Sequence, residues 1–130
     1  MPLNVNVHKR SDGVFVVTPS GRLDSDTYFL FEEKIKPILV PATSVLIFDM
    51  AELDYISSAG LGVIFFAKKF MEEKNSTFII TNLKPQIKKV FDIVKVLPKT
   101  PLFRTMEEVD SYLDAIQKRE LDKQGNPPQA

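Results

Sequence analysis

Four stretches of the chain concentrate or alternate apolar residues as strands do. Leu3–Val7 alternates apolar and polar residues, which predicts a half-buried strand. Val14–Thr18 follows a Ser-Asp-Gly turn and predicts a second strand, antiparallel to the first. Val45–Phe48 is a continuous apolar run, typical of a central strand buried on both faces. Thr77–Thr81 predicts a further strand.

Between and after these strands, apolar residues recur at helical spacing. The first predicted helix follows Asp24 or Ser25, either of which can cap it, and the segment ends at Pro41. A second helix, Leu61–Met71, is apolar along two stripes, more than one sheet face requires. Part of its surface is therefore either a partner site or buried between neighbouring elements. Third and fourth helices are predicted around Ile87, Val90, Phe91 and Val94, and around Val109, Tyr112, Leu113 and Ile116.

The predicted order of elements is ββαβαβαβα, which indicates an α/β fold. In it an N-terminal hairpin leads into a mostly parallel mixed sheet with packed helices. Pro101–Arg104 is predicted as a short edge strand, and Thr105 with Glu108 as a capping box for the last helix. Residues 1–120 are expected to form one domain, and residues 121–130 a disordered polar tail.

The segment Asp54–Gly62, which we call the serine turn, separates the central strand from the second helix. Ser57 and Ser58 can each cap that helix, because a hydroxyl accepts hydrogen bonds from the free N–H groups of a first turn. Gly60 and Gly62 allow another backbone to approach closely. A hydroxyl is thus expected at the positive end of a helix dipole, where an added phosphate is favourable. An ordinary capped strand–turn–helix explains the same residues.

Composition excludes several classes of protein. Lysine plus arginine and aspartate plus glutamate number 17 each, so the chain lacks the basic excess of a dedicated nucleic-acid binder. No stretch has the ~18 apolar residues of a membrane span, and the N-terminus does not resemble a signal peptide. The chain has no cysteine, hence no disulfide framework or thiolate chemistry. We expect a cytoplasmic protein.

The sequence also argues against catalysis by this chain. His8 is the single histidine and lies on the first hairpin, and the serines lack a Gly-x-Ser-x-Gly context. Asp49, Glu52 and Asp54, with Lys84-Pro85 later, suggest a phospho-aspartate receiver, but neither early strand ends in the acidic pair that a receiver needs. There is no Walker-type loop. We therefore predict no catalytic residue, metal or cofactor.

The serine turn and its flanks resemble a STAS domain, specifically the small bacterial anti-sigma factor antagonists. The resemblance is carried by residues 46–62, where an apolar strand ending in Asp49 leads through Ile56-Ser-Ser-Ala-Gly-Leu-Gly62 to an apolar helix. Gly21-Arg-Leu-Asp24 and the Pro85 to Asp92 segment add weaker matches. It covers about the first 117 residues and implies the STAS fold, also called SpoIIAA-like.

The resemblance implies a binding switch that regulates transcription indirectly, and not an enzyme. Such a protein binds an anti-sigma factor serine kinase of GHKL type and frees the sigma factor; phosphorylation in the turn breaks the complex, and a PP2C-type phosphatase restores it. The phosphoacceptor falls on Ser58, with Ser57 as the alternative, because Ser57 replaces the family's aspartate. Asp24 either orients the hydroxyl or caps the first helix. The implied partner-binding residues are Asp24, Ser57, Ser58, Ala59, Gly60, Leu61 and Gly62.

A second interpretation stays open. Because Ser57 and Ala59 depart from the family pattern, the chain is alternatively a STAS scaffold that is not phosphorylated, working within a larger signalling or transport assembly. The sequence also leaves open whether the protein forms a homodimer through its apolar helix or its hairpin edge.

Overall fold

The structure, a computed structural model, describes residues 2–96 and 106–125. The described elements alternate between strands and helices after an initial hairpin. In chain order they are β1 (Asn4–Ser11), β2 (Val14–Leu23), α1 (Tyr28–Ile35), a 3-10 turn (Lys36–Ile38), β3 (Val45–Asp49), β4 (Leu53–Ile56), α2 (Ser58–Glu73), β5 (Thr77–Thr81), α3 (Pro85–Val96) and α4 (Met106–Gly125).

The five strands form a mixed sheet in which β2 is the shared element. Its path is β1-β2-β3-β5, and β4 pairs separately with β2. β1 and β2 are antiparallel, which confirms the predicted hairpin. β2 is parallel to β3 along its first half and parallel to β4 at its end, and β3 is parallel to β5. The predicted mostly parallel sheet is therefore confirmed.

The core lies on one face of this sheet. Leu46 and Phe48 of β3 are fully buried, and Phe48 packs edge-to-face on Phe31 of α1 with ring centroids 5.4 Å apart. The opposite face is more open, since Ile47 is half-buried and its β5 neighbour Ile79 is 41% exposed. The prediction that β3 is buried on both faces was wrong, because the helices collect on the face of Leu46 and Phe48.

Strand β4 was missed by the sequence-based prediction, which assigned Leu53–Ile56 to the loop before the second helix. Three of its four residues belong to the serine turn itself, and only Leu53 and Ile56 are buried. The strand forms because its backbone pairs with the end of β2, where Arg22 lies opposite Tyr55 and Leu23 opposite Ile56. This pairing brings the end of β2 to the serine turn.

The helices agree with the prediction in number, and α4 is longer than expected. α4 continues to Gly125, so residues 121–125, which we assigned to a disordered tail, are helical. Leu121, Lys123 and Gln124 are good helix formers. The Gln124 Nε2 amide also donates to Gln86 Oε1 of α3 at 3.2 Å, which holds the last turn of α4 against α3. The predicted edge strand Pro101–Arg104 and Thr105 of the predicted capping box lie outside the described residues.

The two apolar stripes of α2 each combine buried and exposed residues. The residues that face the sheet are buried, whereas Phe66 on the outer side is 63% exposed and Phe65 is 38% exposed. Burial therefore explains most of both stripes, and one phenylalanine of each, Phe65 and Phe66, leaves aromatic surface uncovered by the described residues. The buried set comprises Gly60, Leu61, Val63, Ile64, Ala67 and Met71.

Candidate functional site

The serine turn contains the end of β4 and the start of α2, with Ser57 alone between them. Ser57 is the N-cap residue by its extended backbone, and its carbonyl accepts from the Leu61 N–H at 2.9 Å. The Ser57 N–H in turn donates to the Leu23 carbonyl at 2.9 Å, which extends the pairing of β2 with β4 by one residue. The Ser57 side chain is buried, and its Oγ makes no hydrogen bond to the described residues. Ser57 therefore occupies the cap position without capping through its hydroxyl.

Ser58 is the first residue of α2 and is partly exposed. Its backbone N–H and its Oγ both donate to one oxygen, Asp110 Oδ1 of α4, at 2.9 and 2.7 Å. The carboxylate thus supplies the negative charge that the start of α2 favours. The expectation that a serine hydroxyl caps this helix was wrong. The capping acceptor is the Asp110 carboxylate of α4, and the Ser58 hydroxyl donates to that same carboxylate.

A second residue of α4 holds the end of β4. Gln117 is 1% exposed, and its side-chain amide pairs with the backbone of Ile56 in the manner of a neighbouring strand. The Ile56 N–H donates to Gln117 Oε1, and Gln117 Nε2 donates to the Ile56 carbonyl, both at 2.8 Å. Because Ile56 is fully buried, these bonds satisfy backbone groups that water does not reach.

Tyr55 connects the same helix to β2. Its hydroxyl is hydrogen-bonded to Asp114 of α4, and the Arg22 guanidinium lies over its ring, 3.9 Å from the centroid. Burial, with the charge and hydrogen bond of Asp114, raises the pKa of Tyr55 to about 12, although Arg22 acts in the opposite direction. The Tyr55 phenol therefore stays neutral and remains a donor at physiological pH.

Asp24 lies next to the site in the chain, one residue after Leu23. Its Oδ1 accepts from the Asp26 N–H at 3.0 Å, and its Oδ2 lies 3.6 Å from the Arg22 Nε. The carboxylate thus orders the turn before α1; it does not cap the helix, whose N-cap position is Thr27. Its link to the serine turn runs through Arg22 and the ring of Tyr55.

The two glycines of the turn have different surroundings. A Cβ on Gly60 would lie 2.6 Å from the Leu23 Cγ and 3.0 Å from the Leu23 carbonyl oxygen, so Gly60 allows α2 to approach the end of β2. A Cβ on Gly62 would have no atom within 4 Å. The fold therefore needs glycine at position 60 and does not need it at position 62.

A groove of about 450 Å³ opens between α1 and α2 beside the serine turn. Ala59 and Gly62 form the part of its wall nearest to Ser58, and the exposed Phe66 lies farther along α2. The other lining residues, Tyr28, Glu32, Ile35, Lys36, Leu39 and Val63, come from α1, the turn that follows it and α2.

Two of the acidic residues near the end of β3, Asp49 and Asp54, are paired within the fold. Lys84 forms an ion pair with Asp54, and Asn82 donates to Asp49 Oδ1 at 3.1 Å. Among residues 2–96 and 106–125, no three His, Asp or Glu side chains are grouped so that they could hold a metal ion. These pairs are solvated structural contacts at the sheet edge.

A comparison with protein families settles the class of the domain. The family model described as "STAS domain" matches residues 6–109, which is most of the chain. The chain belongs to the STAS domain family. The family resemblance drawn from the serine turn is thereby confirmed.

Several relatives of this STAS domain carry names of the same kind. BtrV of Bordetella bronchiseptica, named as a candidate anti-sigma factor antagonist, is 27% identical over 96 residues, which are 74% of this chain and 83% of BtrV. The anti-sigma-B factor antagonist of Listeria monocytogenes is 25% identical over 93 residues, covering 72% of this chain and 82% of the relative.

Solved structures support the fold. The unphosphorylated form of the anti-sigma factor antagonist SpoIIAA superimposes with a TM-score of 0.64 at 20% identity, covering 72% of this chain and 82% of SpoIIAA. A phosphorylated form of SpoIIAA, described as a Bacillus cell fate determinant, gives a TM-score of 0.61 at 21% identity, covering 70% and 83% of the two chains. The predicted SpoIIAA-like fold is confirmed. In the described part of this STAS domain, no helix is long and apolar enough to cross a membrane.

The structure brings together most residues predicted for the site but not all at one surface. Ser58, Ala59 and Gly62 reach the outside, whereas Ser57, Gly60 and Leu61 are buried beneath them. Sequence reasoning missed the α4 residues Asp110, Asp114 and Gln117. These residues recur at i, i+4 and i+7 beside the apolar face of α4, a stripe that sequence alone does not distinguish from a solvated one.

Proposed function

We propose that this STAS domain is an anti-sigma factor antagonist: it binds an anti-sigma factor serine kinase of GHKL type, and phosphorylation of Ser58 dissociates the complex. A PP2C-type phosphatase restores the binding form. The observation that carries the proposal is the position of Ser58, a partly exposed hydroxyl at the start of α2, directly beside an apolar groove. The names of BtrV and the Listeria relative support the class of partner.

Burial favours Ser58 over Ser57 as the acceptor. The Ser57 side chain belongs to a residue that is 3% exposed, and a kinase would need to unfold the turn to reach its hydroxyl. Ser58, by contrast, is partly exposed. A phosphate there adds about −1.5 to −2 charge at the edge of the groove, which disfavours an apolar contact with a partner. The kinase supplies ATP and metal, so this chain needs neither.

The groove between α1 and α2 is the proposed partner surface. It adjoins Ser58 through Ala59 and Gly62, and Phe66 offers exposed aromatic area of the kind that protein interfaces use. The bare backbone at Gly62 permits close approach, and the fold itself makes no use of it. Buried Gly60 and Leu61 shape this surface from below.

The test is a pull-down from the source organism's lysate with ATP, using wild-type protein and Ser58→Ala as baits. We expect Ser58→Ala to retain a kinase, and the wild type to gain the mass of one phosphoryl group and to release the kinase as it does so. Ser57→Ala is the matched control and should still gain that mass. Ser58→Asp is expected to bind less and Ser58→Ala to bind constitutively; equal binding by these two variants would contradict the switch.

The hydrogen bond from Ser58 to Asp110 favours a second candidate function. A hydroxyl engaged with a carboxylate of the same chain also fits a STAS scaffold that is never phosphorylated, in a larger signalling or transport assembly. The same pull-down separates the two functions, because a scaffold would retain partners while neither bait gained mass.

A further inference from the structure

The Ser58 hydroxyl and the last helix share one contact. Asp110 Oδ1 receives both the Oγ hydrogen and the backbone N–H of Ser58, at 2.7 and 2.9 Å. One carboxylate oxygen of α4 therefore occupies the place at the start of α2 that a phosphate on the same residue would take. Both groups are anions, and both are stabilised there by the same N–H and the same helix dipole.

Two further contacts attach α4 to the serine turn and to β4. Asp114 is hydrogen-bonded to the Tyr55 hydroxyl, and Gln117 pairs with both backbone groups of Ile56. Together with Asp110, these side chains bind three of four successive residues. The apolar residues Leu113 and Ile116, on the neighbouring face of α4, are buried.

We propose that docking of α4 on the serine turn and phosphorylation of Ser58 exclude each other, so that the phosphate releases the Asp110 end of α4. This inference rests on the proposed function, in which Ser58 is the phosphoacceptor. Transfer from ATP forms the Oγ–P bond, breaks the bond between the γ-phosphorus and its bridging oxygen, and releases ADP and the hydroxyl proton. Oγ then has no hydrogen to donate to Asp110, and a second anion faces the carboxylate at contact distance.

Release is expected to be partial. Leu113 lies in the main core, so the middle of α4, including Asp114, stays anchored while the segment that ends at Asp110 separates from the turn. The coupling is reciprocal, since whatever the phosphate does to α4, a docked α4 does to the phosphate. A docked α4 therefore disfavours the phosphorylated state of Ser58 at equilibrium, and a partner that draws α4 away favours it.

The experiment places phosphoserine at position 58 of the full chain by genetic encoding, without any kinase. Amide hydrogen exchange over residues 106–125 and a spectrophotometric titration of tyrosine are then compared with the unmodified protein. We expect exchange in the first half of α4 to rise tenfold or more. The pKa of Tyr55 should stay at about 12, because Asp114, beside the anchored Leu113, remains docked.

Two variants separate charge from loss of the hydroxyl. Ser58→Ala keeps the N–H bond to Asp110 and is expected to change exchange much less than the phosphate does. In the phosphorylated Asp110→Asn protein the carboxamide can donate to the phosphate, so protection of α4 should largely return. Unchanged exchange in the first half of α4 of the phosphorylated protein would overturn the inference, as would full release in phosphorylated Asp110→Asn.

Failure of this inference and failure of the proposed function give different results. If phosphoserine abolishes partner capture while α4 stays docked, the partner switch stands and the inference fails. If phosphoserine releases α4 but no kinase in the lysate modifies Ser58, the inference stands and the proposed function fails.

Discussion

Replacing Gln117 with alanine tests whether α4 completes the site. The amide of Gln117 satisfies the N–H and the carbonyl of Ile56, and both residues are buried. A buried backbone group left without a partner costs about 1–3 kcal/mol, so two such groups cost about 2–6 kcal/mol. A water molecule in the vacated space can pair one of them, which brings the expected loss of unfolding free energy to about 1–3 kcal/mol.

Urea and thermal unfolding of Gln117→Ala measure this loss, and Lys118→Ala, an exposed neighbour on the same helix, is the control. At about 4 °C per kcal/mol for a chain of this size, Tm should fall by about 4–12 °C in Gln117→Ala. The control should change by no more than ~0.5 kcal/mol. A Gln117→Ala protein as stable as the control would refute the reasoning, because it would mean that α4 does not pair with β4 in solution.

Gln117→Glu refines the same test through its pH dependence. Only a protonated glutamic acid can both accept from the Ile56 N–H and donate to its carbonyl, so folding raises the pKa of the introduced carboxyl. The folded state then binds more protons than the unfolded state. As pH falls from the raised folded pKa to the unfolded pKa, the unfolding free energy of Gln117→Glu should therefore approach that of the wild type. A difference in unfolding free energy from the wild type that stays the same between pH 7 and pH 4 would contradict the pairing of residue 117 with the Ile56 backbone.

Three other outcomes follow from the site. Gly60→Ala should destabilise the fold by about 1–3 kcal/mol through contact with Leu23. Gly62→Ala should instead raise the free energy of unfolding in urea by about 0.5–1 kcal/mol and still bind a partner less tightly. Loss of stability in both variants would contradict the geometry. Asp114→Asn should lower the pKa of Tyr55 below about 12 in a titration at 295 nm, and an unchanged pKa would remove Asp114 as a cause. Because the folded pKa of Tyr55 exceeds its unfolded value of 10.0, its contribution to stability is complete below pH 10 and is lost as pH rises through about 12; a Tyr55→Phe protein should lack that component of the alkaline loss.

Local patterns in the sequence were sufficient for most of the fold. Alternation, apolar runs and turn residues located the hairpin, β3, β5 and the helices, because each of these elements is stabilised by its own periodic face. β4 was missed because Leu53–Ile56 is short and takes its order from a backbone partner more than 30 residues earlier in the chain. The end of α4 was misplaced because a polar helical turn and a polar tail have the same composition.

The sequence predicted those residues of the candidate site that are close together in the chain, and missed those that contact the site from a distant segment. The serine turn and its glycines belong to a short motif, and the sequence located them. The role of Asp110 depends on where α4 docks, and no spacing rule relates residues 52 positions apart. The pairing of Ile56 with Gln117 spans 61 positions and is equally invisible to such rules.

These long separations determine when the site forms during folding. The β1–β2 hairpin closes a loop of a few residues, whereas the contacts of Ser58 and Ile56 with α4 wait for loop closures of 52 and 61 residues. Closing a longer loop costs more chain entropy and comes later on average. A chain with its sheet already assembled therefore passes through a stage in which the serine turn is present but not yet fixed by α4. Substitutions in α4 at these contacts should then accelerate unfolding more than they slow folding, the kinetic signature of an element that joins after the transition state.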